Sequence, residues 1–229
     1  SDIIQEKLAW ADTARRLSHN VRRHITNVLW ALNPLQNDED LSDGGRDNIG
    51  TIRREVEKIR VFTHAFQRFT EMRDNELETQ DIIPSVEHCI SRINLPGNIH
   101  LIKDWSLNSI ATLFEPIRFE EALGNLIHNA VDAMPQGGTL HITVRHFPLH
   151  ESPKGPLTVL VEVGDSGKGI PAKYMEEVWQ AFFTTKDSGT GIGLPESRKI
   201  IRSMGGDITL ESHEGEGTVV SIWLREGDK

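Results

Sequence analysis

The chain has 229 residues and a formal net charge of −9, with 37% hydrophobic and 26% charged residues, which is typical of a globular protein of one or two domains. The acidic balance argues against a nucleic-acid binder, which needs a basic face, and no apolar run approaches the roughly 18 residues of a membrane span. The single cysteine, Cys89, cannot form an internal disulfide, which fits a reducing, cytoplasmic compartment.

Two long amphipathic helices are predicted at the start of the chain. Over residues 1–36 and again over 46–73, apolar or small residues recur at steps of three and four. Pro34 bends or ends the first helix, and the polar stretch 37–45 predicts a turn. The repeating positions are Ile4, Leu8, Ala11, Ala14, Leu17, Val21, Ile25, Val28, Leu32 and Leu35, then Ile49, Ile52, Val56, Ile59, Phe62, Phe66 and Phe69.

These helices are expected to form an antiparallel hairpin, because a short loop joins them. A lone hairpin leaves part of each apolar stripe uncovered, and pairing two hairpins into a four-helix bundle would cover it. We therefore expect a homodimer and assign residues 1–76 to a helical hairpin domain.

A second domain is predicted over residues 77–229, where the periodicity changes. Residues 138–147 and 157–165 have the alternating or continuous apolar pattern of strands, and 206–224 predicts a closing β-hairpin. Residues 116–134, 172–182 and 195–204 predict helices, and 87–106 a first helix and strand. The expected fold class is therefore α+β, a helical hairpin followed by an α/β domain.

Helix 116–134 carries Asn125, Asn129 and Asp132, of which the first two are four residues apart and share one face. Asparagine oxygen is a reasonable ligand for Mg²⁺, which prefers hard oxygen ligands and keeps phosphates and waters in its shell. The same pattern fits solvated polar positions on a half-buried helix, and this helix alone leaves both interpretations open.

Two glycine-containing segments follow. Asp165 ends a predicted strand and precedes Gly167 and Gly169. Its carboxylate can accept a hydrogen bond from an exocyclic amine, and the glycines let a flat ring approach. An ordinary turn is the alternative interpretation. Residues 187–195, "DSGTGIGLP", place glycines at every second position ahead of a helix. Such a loop can bring backbone N–H groups to a phosphate at the helix N-terminus, and a flexible surface turn is the alternative. Those glycines are Gly189, Gly191 and Gly193.

The blocks occur in a fixed order along the chain: the asparagine helix, Asp-x-Gly-x-Gly, Phe-Phe-Thr-Thr-Lys, Gly-x-Gly-x-Gly-Leu and Gly-Thr. This combination resembles the ATP-binding domain of the two-component sensor histidine kinases, a branch of the superfamily that includes gyrase B and Hsp90. The resemblance covers nearly the whole chain and implies a Bergerat/GHKL-type sandwich of helices over a mixed β-sheet, preceded by a dimeric hairpin. It also implies that the chain is the cytoplasmic core of a longer sensor and makes no direct contact with a membrane.

The resemblance implies a role for each matching residue. Asn129 corresponds to the Mg²⁺ ligand, with Asn125 beside it toward the phosphates, and Asp165 to the acceptor of the adenine amine, supported by Thr218. The glycines of the 187–195 loop correspond to the phosphate end of an ATP lid. The lid is short, so Thr185 and Lys186 are expected to reach the phosphates themselves. The implied nucleotide contacts are Asn125, Asn129, Asp132, Asp165, Gly167, Gly169, Ile170, Thr185, Lys186, Gly189, Gly191, Gly193, Leu194 and Thr218.

The family also implies a phosphate-accepting histidine on the first hairpin helix. At about 100° per residue, His19 lies roughly opposite the apolar stripe and faces solvent, whereas His24 lies nearer its flank and His64 has no similarity to the motif. His19 is therefore the expected phospho-acceptor, since a neutral imidazole is a good nucleophile.

Two neighbours of His19 depart from the family pattern. The family usually has Asp or Glu next to the histidine, where this chain has Asn20, whose amide cannot take a proton at neutral pH. Four residues after the histidine many members carry Thr, Asn or Gln, where this chain has Arg23, whose guanidinium holds a phosphoryl group but does not orient a water in the same way.

The expected function is autophosphorylation of His19 by ATP and Mg²⁺, followed by transfer to an aspartate of a response-regulator receiver domain. One alternative is an ATP-driven clamp related to gyrase or Hsp90, although Asn125 stands where those relatives have a catalytic Glu. The other is a pseudokinase that docks a response regulator without turning over ATP, which Asn20 and Arg23 keep open.

Overall fold

The computed structural model describes residues 20–21, 23–33, 35, 42–70, 76–186 and 189–228. These residues fall into two compact units. One unit contains the N-terminal helices together with Thr184–Ile192, and the other contains the described residues from 76 through Phe183 and from Gly193 onward.

Two helices make up most of the first unit. The described residues between 20 and 35 are helical and are called α1, and α2 spans Asp43–Thr70. Helix α2 begins before the predicted residue 46 because Ser42 caps it: the Gly45 N–H donates to Ser42 Oγ at 3.2 Å, and a serine oxygen satisfies a donor that the first turn leaves unpaired.

The apolar residues of α1 and α2 divide into a covered row and an uncovered row. Ile25, Leu32 and Ile49 are buried, and the Arg53 guanidinium donates to the Asn33 side-chain oxygen and so links the two helices. The exposed row contains Val28 (41% exposed), Leu35 (43%), Ile52 (45%) and Ile59 (48%). The hairpin contacts predicted from the sequence thus use only part of each apolar stripe.

The second unit is the expected α/β domain. Its strands are β1 (Glu78–Asp81), β2 (Ile99–Trp105), β3 (Ala111–Phe114), β4 (Gly138–His146), β5 (Val159–Asp165), β6 (Asp207–His213) and β7 (Gly217–Glu226). Its helices are α3 (Ile82–Arg92), α4 (Pro116–Ala133) and α5 (Gly193–Ser203). The strand order is β1-β3-β7-β5-β4-β2 with β6 also paired to β7, and all pairs are antiparallel except β2 with β4.

The main core lies between one face of this sheet and the three helices. Alternate strand residues point into it, which is the period expected of strands covered on one face. Phe114 on β3 and Phe119 on α4 pack edge to face, with ring centroids 5.3 Å apart. A smaller cluster joins Leu160 on β5 and Trp223 on β7 with Leu157, which precedes β5.

The structure differs from the sequence prediction at four short elements. Residues 172–182, predicted to be helical, contain two single-turn 3₁₀ helices, Ala172–Tyr174 and Glu177–Trp179, since their backbone closes i→i+3 bonds such as Gln180 N–H to the Glu177 carbonyl at 2.8 Å. Strands β1 and β3, of four residues each, were not predicted, because so few residues show no period. None of the described helices combines the length and apolarity needed to cross a membrane.

Candidate functional site

Helix α4 presents the predicted asparagine face at the rim of the α/β unit. Its core-facing side is fixed by buried residues that include Phe119, Leu123 and Leu126, so residues on the opposite side remain accessible. Asn125 and Asn129 are half-buried and Asp132 is exposed, at spacings of four and three that place all three on one face of the helix.

The beginning of helix α5 lies against these asparagines. A Cβ added to Gly193 would be 3.6 Å from Asn129 Nδ2 and 3.9 Å from Asn125 Cβ. The first N–H groups of a helix have no partner within the helix and favour an anion. The structure therefore brings two predicted amides and the N-terminus of α5 together, with half-buried Leu194 packed on the core.

Two residues that the sequence analysis did not single out fix α5 to α4. The hydroxyl of buried Ser197 lies 3.1 Å from the Ala122 carbonyl oxygen and 2.9 Å from the Gly193 carbonyl oxygen, and its proton can be donated to either. Glu196, 1% exposed, accepts a hydrogen bond from Asn125 Nδ2 at 3.4 Å. The position of Glu196 in the charged stretch "PESRK" gives no signal of burial, because charged residues on a helix are usually solvated.

The Asp165 turn follows strand β5 and contacts the end of α4. Asp165 Oδ1 accepts a hydrogen bond from the Gly167 N–H at 2.8 Å, which is an Asx turn. The Lys168 N–H donates to the Ala133 carbonyl, the last residue of α4, at 3.1 Å. Asp165 pairs with Thr218 in the β5–β7 register, so the predicted supporting threonine lies beside the predicted carboxylate.

Ser212 is a further residue that the sequence analysis missed. Its hydroxyl lies 2.9 Å from both Thr218 Oγ1 and the Gly217 carbonyl, and it accepts a hydrogen bond from the Ile170 N–H at 2.8 Å. Because one oxygen ties the loop after Asp165 to the β6–β7 hairpin, it fixes both Ile170 and Thr218. A serine inside a strand carries no sequence signal for such a role.

Close backbone packing requires glycine at two positions around this turn. At Gly169, with φ +63°, an added Cβ would lie 2.0 Å from the His213 carbonyl oxygen, and at Gly217, with φ +123°, 1.9 Å from that of Asp165. Both conformations disfavour a side chain, and both contacts are with backbone that cannot yield. Gly169 is thus required by the fold, whatever approaches it.

The segment Thr184–Ile192, which contains the predicted lid residues, belongs to the first unit. The Lys186 N–H donates to Thr184 Oγ1 at 3.1 Å, and the Gly189 N–H donates to the Lys186 carbonyl at 3.2 Å. A Cβ on Gly189 would lie 2.3 Å from Thr184 Oγ1, and Gly191 has φ +65°. Hydrogen bonds thus link Thr184 with the predicted lid residues Lys186 and Gly189, while Thr185 and Gly191 lie in the same segment and residues 187 and 188 lie outside the described part.

The predicted nucleophile, His19, lies outside the described residues. Its two neighbours of interest, Asn20 and Arg23, are helical and exposed. The other potential nucleophile, Cys89, is buried, and desolvation raises the pKa of its thiol to about 12, so it stays protonated at neutral pH.

The donor set on α4 suits a hard cation that shares its shell with a ligand. Within the described ranges, no group of three or more His, Cys, Asp or Glu side chains could hold a metal ion. Asn125 and Asn129 offer amide oxygens, which are the hard donors that Mg²⁺ prefers, and Mg²⁺ usually binds through few protein ligands plus phosphates and waters.

The model of the family described as histidine kinase-, DNA gyrase B-, and HSP90-like ATPase matches residues 114–228, which contain α4, the Asp165 turn, the lid segment and α5. Sensor kinase CckA of Brucella abortus is 28% identical over 232 residues, which cover 96% of this chain and 24% of that protein. Sporulation kinase E of Bacillus subtilis is 25% identical over 231 residues, 96% of this chain and 30% of its own length. The chain thus spans less than a third of these relatives.

Among solved structures, full-length ShkA in complex with AMPPNP aligns with a TM-score of 0.70 and 20% identity over 95% of this chain and 47% of its own. This likeness shows that the fold is shared.

Proposed function

We propose that this chain, which belongs to the family of histidine kinase-, DNA gyrase B- and HSP90-like ATPases, is the catalytic core of a sensor histidine kinase. The observation that carries the proposal is the asparagine face of α4 set against the N-terminus of α5. That arrangement suits a metal-bound triphosphate, because amide oxygens that can bind Mg²⁺ lie beside a helix N-terminus, which favours an anion. The curated relatives named above as kinases match the helical part as well as the α/β domain.

The nucleotide is proposed to lie along α4. Asp165, at the start of the turn that contacts the C-terminal end of α4, would accept the adenine amine, supported by Thr218 and the loop that Ser212 holds. The phosphates would lie toward Asn125, Asn129 and the first turn of α5, and the lid residues Lys186, Gly189 and Gly191 would close over them. Asn129, with Asn125 beside it, would hold Mg²⁺, which when bound neutralises charge on the β- and γ-phosphates.

The proposed reaction is phosphoryl transfer to His19. A neutral imidazole nitrogen attacks the γ-phosphorus, the bond to the β–γ bridging oxygen breaks, ADP leaves, and the proton on the other ring nitrogen is released. Asn20 would orient the imidazole without accepting that proton, so solvent or another group accepts it. The phosphoryl group would then pass to an aspartate of a receiver domain, with Arg23 exposed nearby on α1.

The chain is proposed to work as a homodimer. Val28, Leu35, Ile52 and Ile59 form an exposed apolar row on α1 and α2, and a second hairpin would cover it in a four-helix bundle.

The deciding experiment incubates the protein with γ-labelled ATP and Mg²⁺. We expect acid-labile, base-stable label on the protein that disappears in His19→Gln and persists in His24→Gln, which replaces a histidine five residues further along the chain. Release of free phosphate without labelled protein would instead support the ATPase clamp. Neither label nor phosphate release would support the pseudokinase.

A further inference from the structure

Glu196 stands out because its side chain is almost completely inaccessible. It is 1% exposed, although ionisable carboxylates are seldom buried and their desolvation is costly unless polar groups compensate. It lies in the first turn of α5, where the helix N-terminus favours a negative charge. Such a group is expected to contribute either to packing or to the adjoining site.

The chemistry of the contact with Asn125 fixes the direction of that amide. Asn125 Nδ2 lies 3.4 Å from Glu196 Oε2, and an ionised carboxylate can only accept hydrogen bonds. The amide must therefore turn its N–H group toward Glu196, which directs its oxygen away. Without the carboxylate, the amide is free to rotate by 180° and present N–H donors where the oxygen was.

Resting on the proposed function, we infer that Glu196 is a positioning residue, which holds Asn125 so that its side-chain oxygen faces the Mg²⁺ and phosphates of the nucleotide. An amide turned the other way would point N–H hydrogens at the cation and lose that ligand. The sequence separation of 71 residues between Asn125 and Glu196 means that this orientation depends on how α5 docks on α4.

The test is the Mg²⁺ dependence of nucleotide binding. Calorimetry with AMPPNP, in Mg²⁺ and in EDTA, compares the parent with Glu196→Gln, which keeps the shape but offers both a donor and an acceptor and so no longer fixes which way Asn125 turns. Loss of a residue that orients a metal ligand typically costs about 10–100-fold in metal affinity, so we expect at least a tenfold loss of affinity in Mg²⁺ and much less in EDTA. The matched control is Ser197→Ala, which weakens the α5–α4 contact directly beside Glu196 without touching Asn125.

The control separates positioning from packing. Ser197→Ala should lower the melting temperature and change both affinities by the same factor. If Glu196→Gln also changes both affinities equally, Glu196 is only structural and the inference is overturned. If the parent protein does not bind AMPPNP in Mg²⁺, the proposed function itself fails.

A double-mutant comparison gives a second readout. In an Asn125→Ala background, Glu196→Gln should cause no further Mg²⁺-dependent loss, because its effect passes through Asn125; an additive loss would contradict the inference. Asn125→Asp sets two carboxylates against each other and should lower the melting temperature without Mg²⁺. Adding Glu196→Gln to Asn125→Asp should restore the melting temperature, because an amide then pairs with a carboxylate. This double variant tests the contact even if Glu196→Gln alone is too unstable to study.

Discussion

The glycine at the start of α5 offers the sharpest test of where the phosphates lie. An alanine methyl at Gly193 would be 3.6 Å from Asn129 Nδ2 and 3.9 Å from Asn125 Cβ, which are ordinary van der Waals distances, so the fold accepts it. Replacing glycine by alanine in a compatible conformation stabilises a protein by about 0.4–1 kcal/mol, since the unfolded chain has fewer conformations to lose. We therefore expect Gly193→Ala to melt at or above the temperature of the parent.

The same methyl occupies space beside the asparagine face. If the nucleotide phosphates approach the first turn of α5 there, the methyl displaces them, and we expect AMPPNP affinity in Mg²⁺ to fall by at least about tenfold, or roughly 1.4 kcal/mol. Calorimetry measures the affinity and thermal unfolding measures the stability. A Gly193→Ala protein that binds AMPPNP as the parent does would refute this placement of the phosphates.

Gly217→Ala provides the contrast. Its Cβ would lie 1.9 Å from the Asp165 carbonyl oxygen at a φ of +123°. A non-glycine residue in such a region costs on the order of 1–3 kcal/mol before the clash is counted, so this variant should melt well below the parent. The two glycines belong to neighbouring motifs, yet one is expected to act on binding and the other on folding.

Three further predictions concern the proposed kinase. Asn129→Ala and Asp165→Asn should each abolish measurable AMPPNP binding while leaving the far-UV circular dichroism spectrum intact, and unchanged affinity in both would contradict the site. A fragment of residues 77–229 should be monomeric in light scattering and still bind AMPPNP, whereas the full chain should be a dimer; a dimeric fragment would remove the role of the hairpin. Asn20→Asp should raise the rate of His19 labelling, because a positioned general base typically contributes about 10²–10⁴-fold, and an unchanged rate would mean that this position is not limiting.

Long periodic elements were predictable from the sequence because one face of each is buried. Helix α4 shows apolar residues at steps of three and four, and strands β4, β5 and β7 alternate around buried residues such as Ile142, Val161 and Ile222. The β6–β7 turn was predictable from its glycines, of which Gly215 and Gly217 have positive φ. The sequence prediction is wrong where an element has only three or four residues, as in β1 and the 3₁₀ helices after residue 171.

The polar supports of the site were not predictable, because their partners are distant in sequence. Glu196 contacts Asn125 across 71 residues, and Ser212 contacts Ile170 across 42. Serine and glutamate are common on surfaces, so nothing local separates a buried hydrogen-bonding residue from a solvated one. Residues with a recognisable spacing, such as Asn125 and Asn129, could be identified from the sequence. The residues that contact them could be identified only once the packing of α5 on α4 was known.

The arrangement of Asn125 and Glu196 bears on why a member of this family would transfer a phosphoryl group to histidine rather than to water. Water attack needs a base beside the γ-phosphate, and Asn125, which cannot accept a proton at neutral pH, stands where the resemblance places a glutamate in the gyrase and Hsp90 branch. The carboxylate that this chain does carry, Glu196, is buried behind that amide and receives its N–H. In the proposed site, Glu196 would orient Asn125 and stay behind that amide, so neither side chain would serve as a base for water attack on the nucleotide.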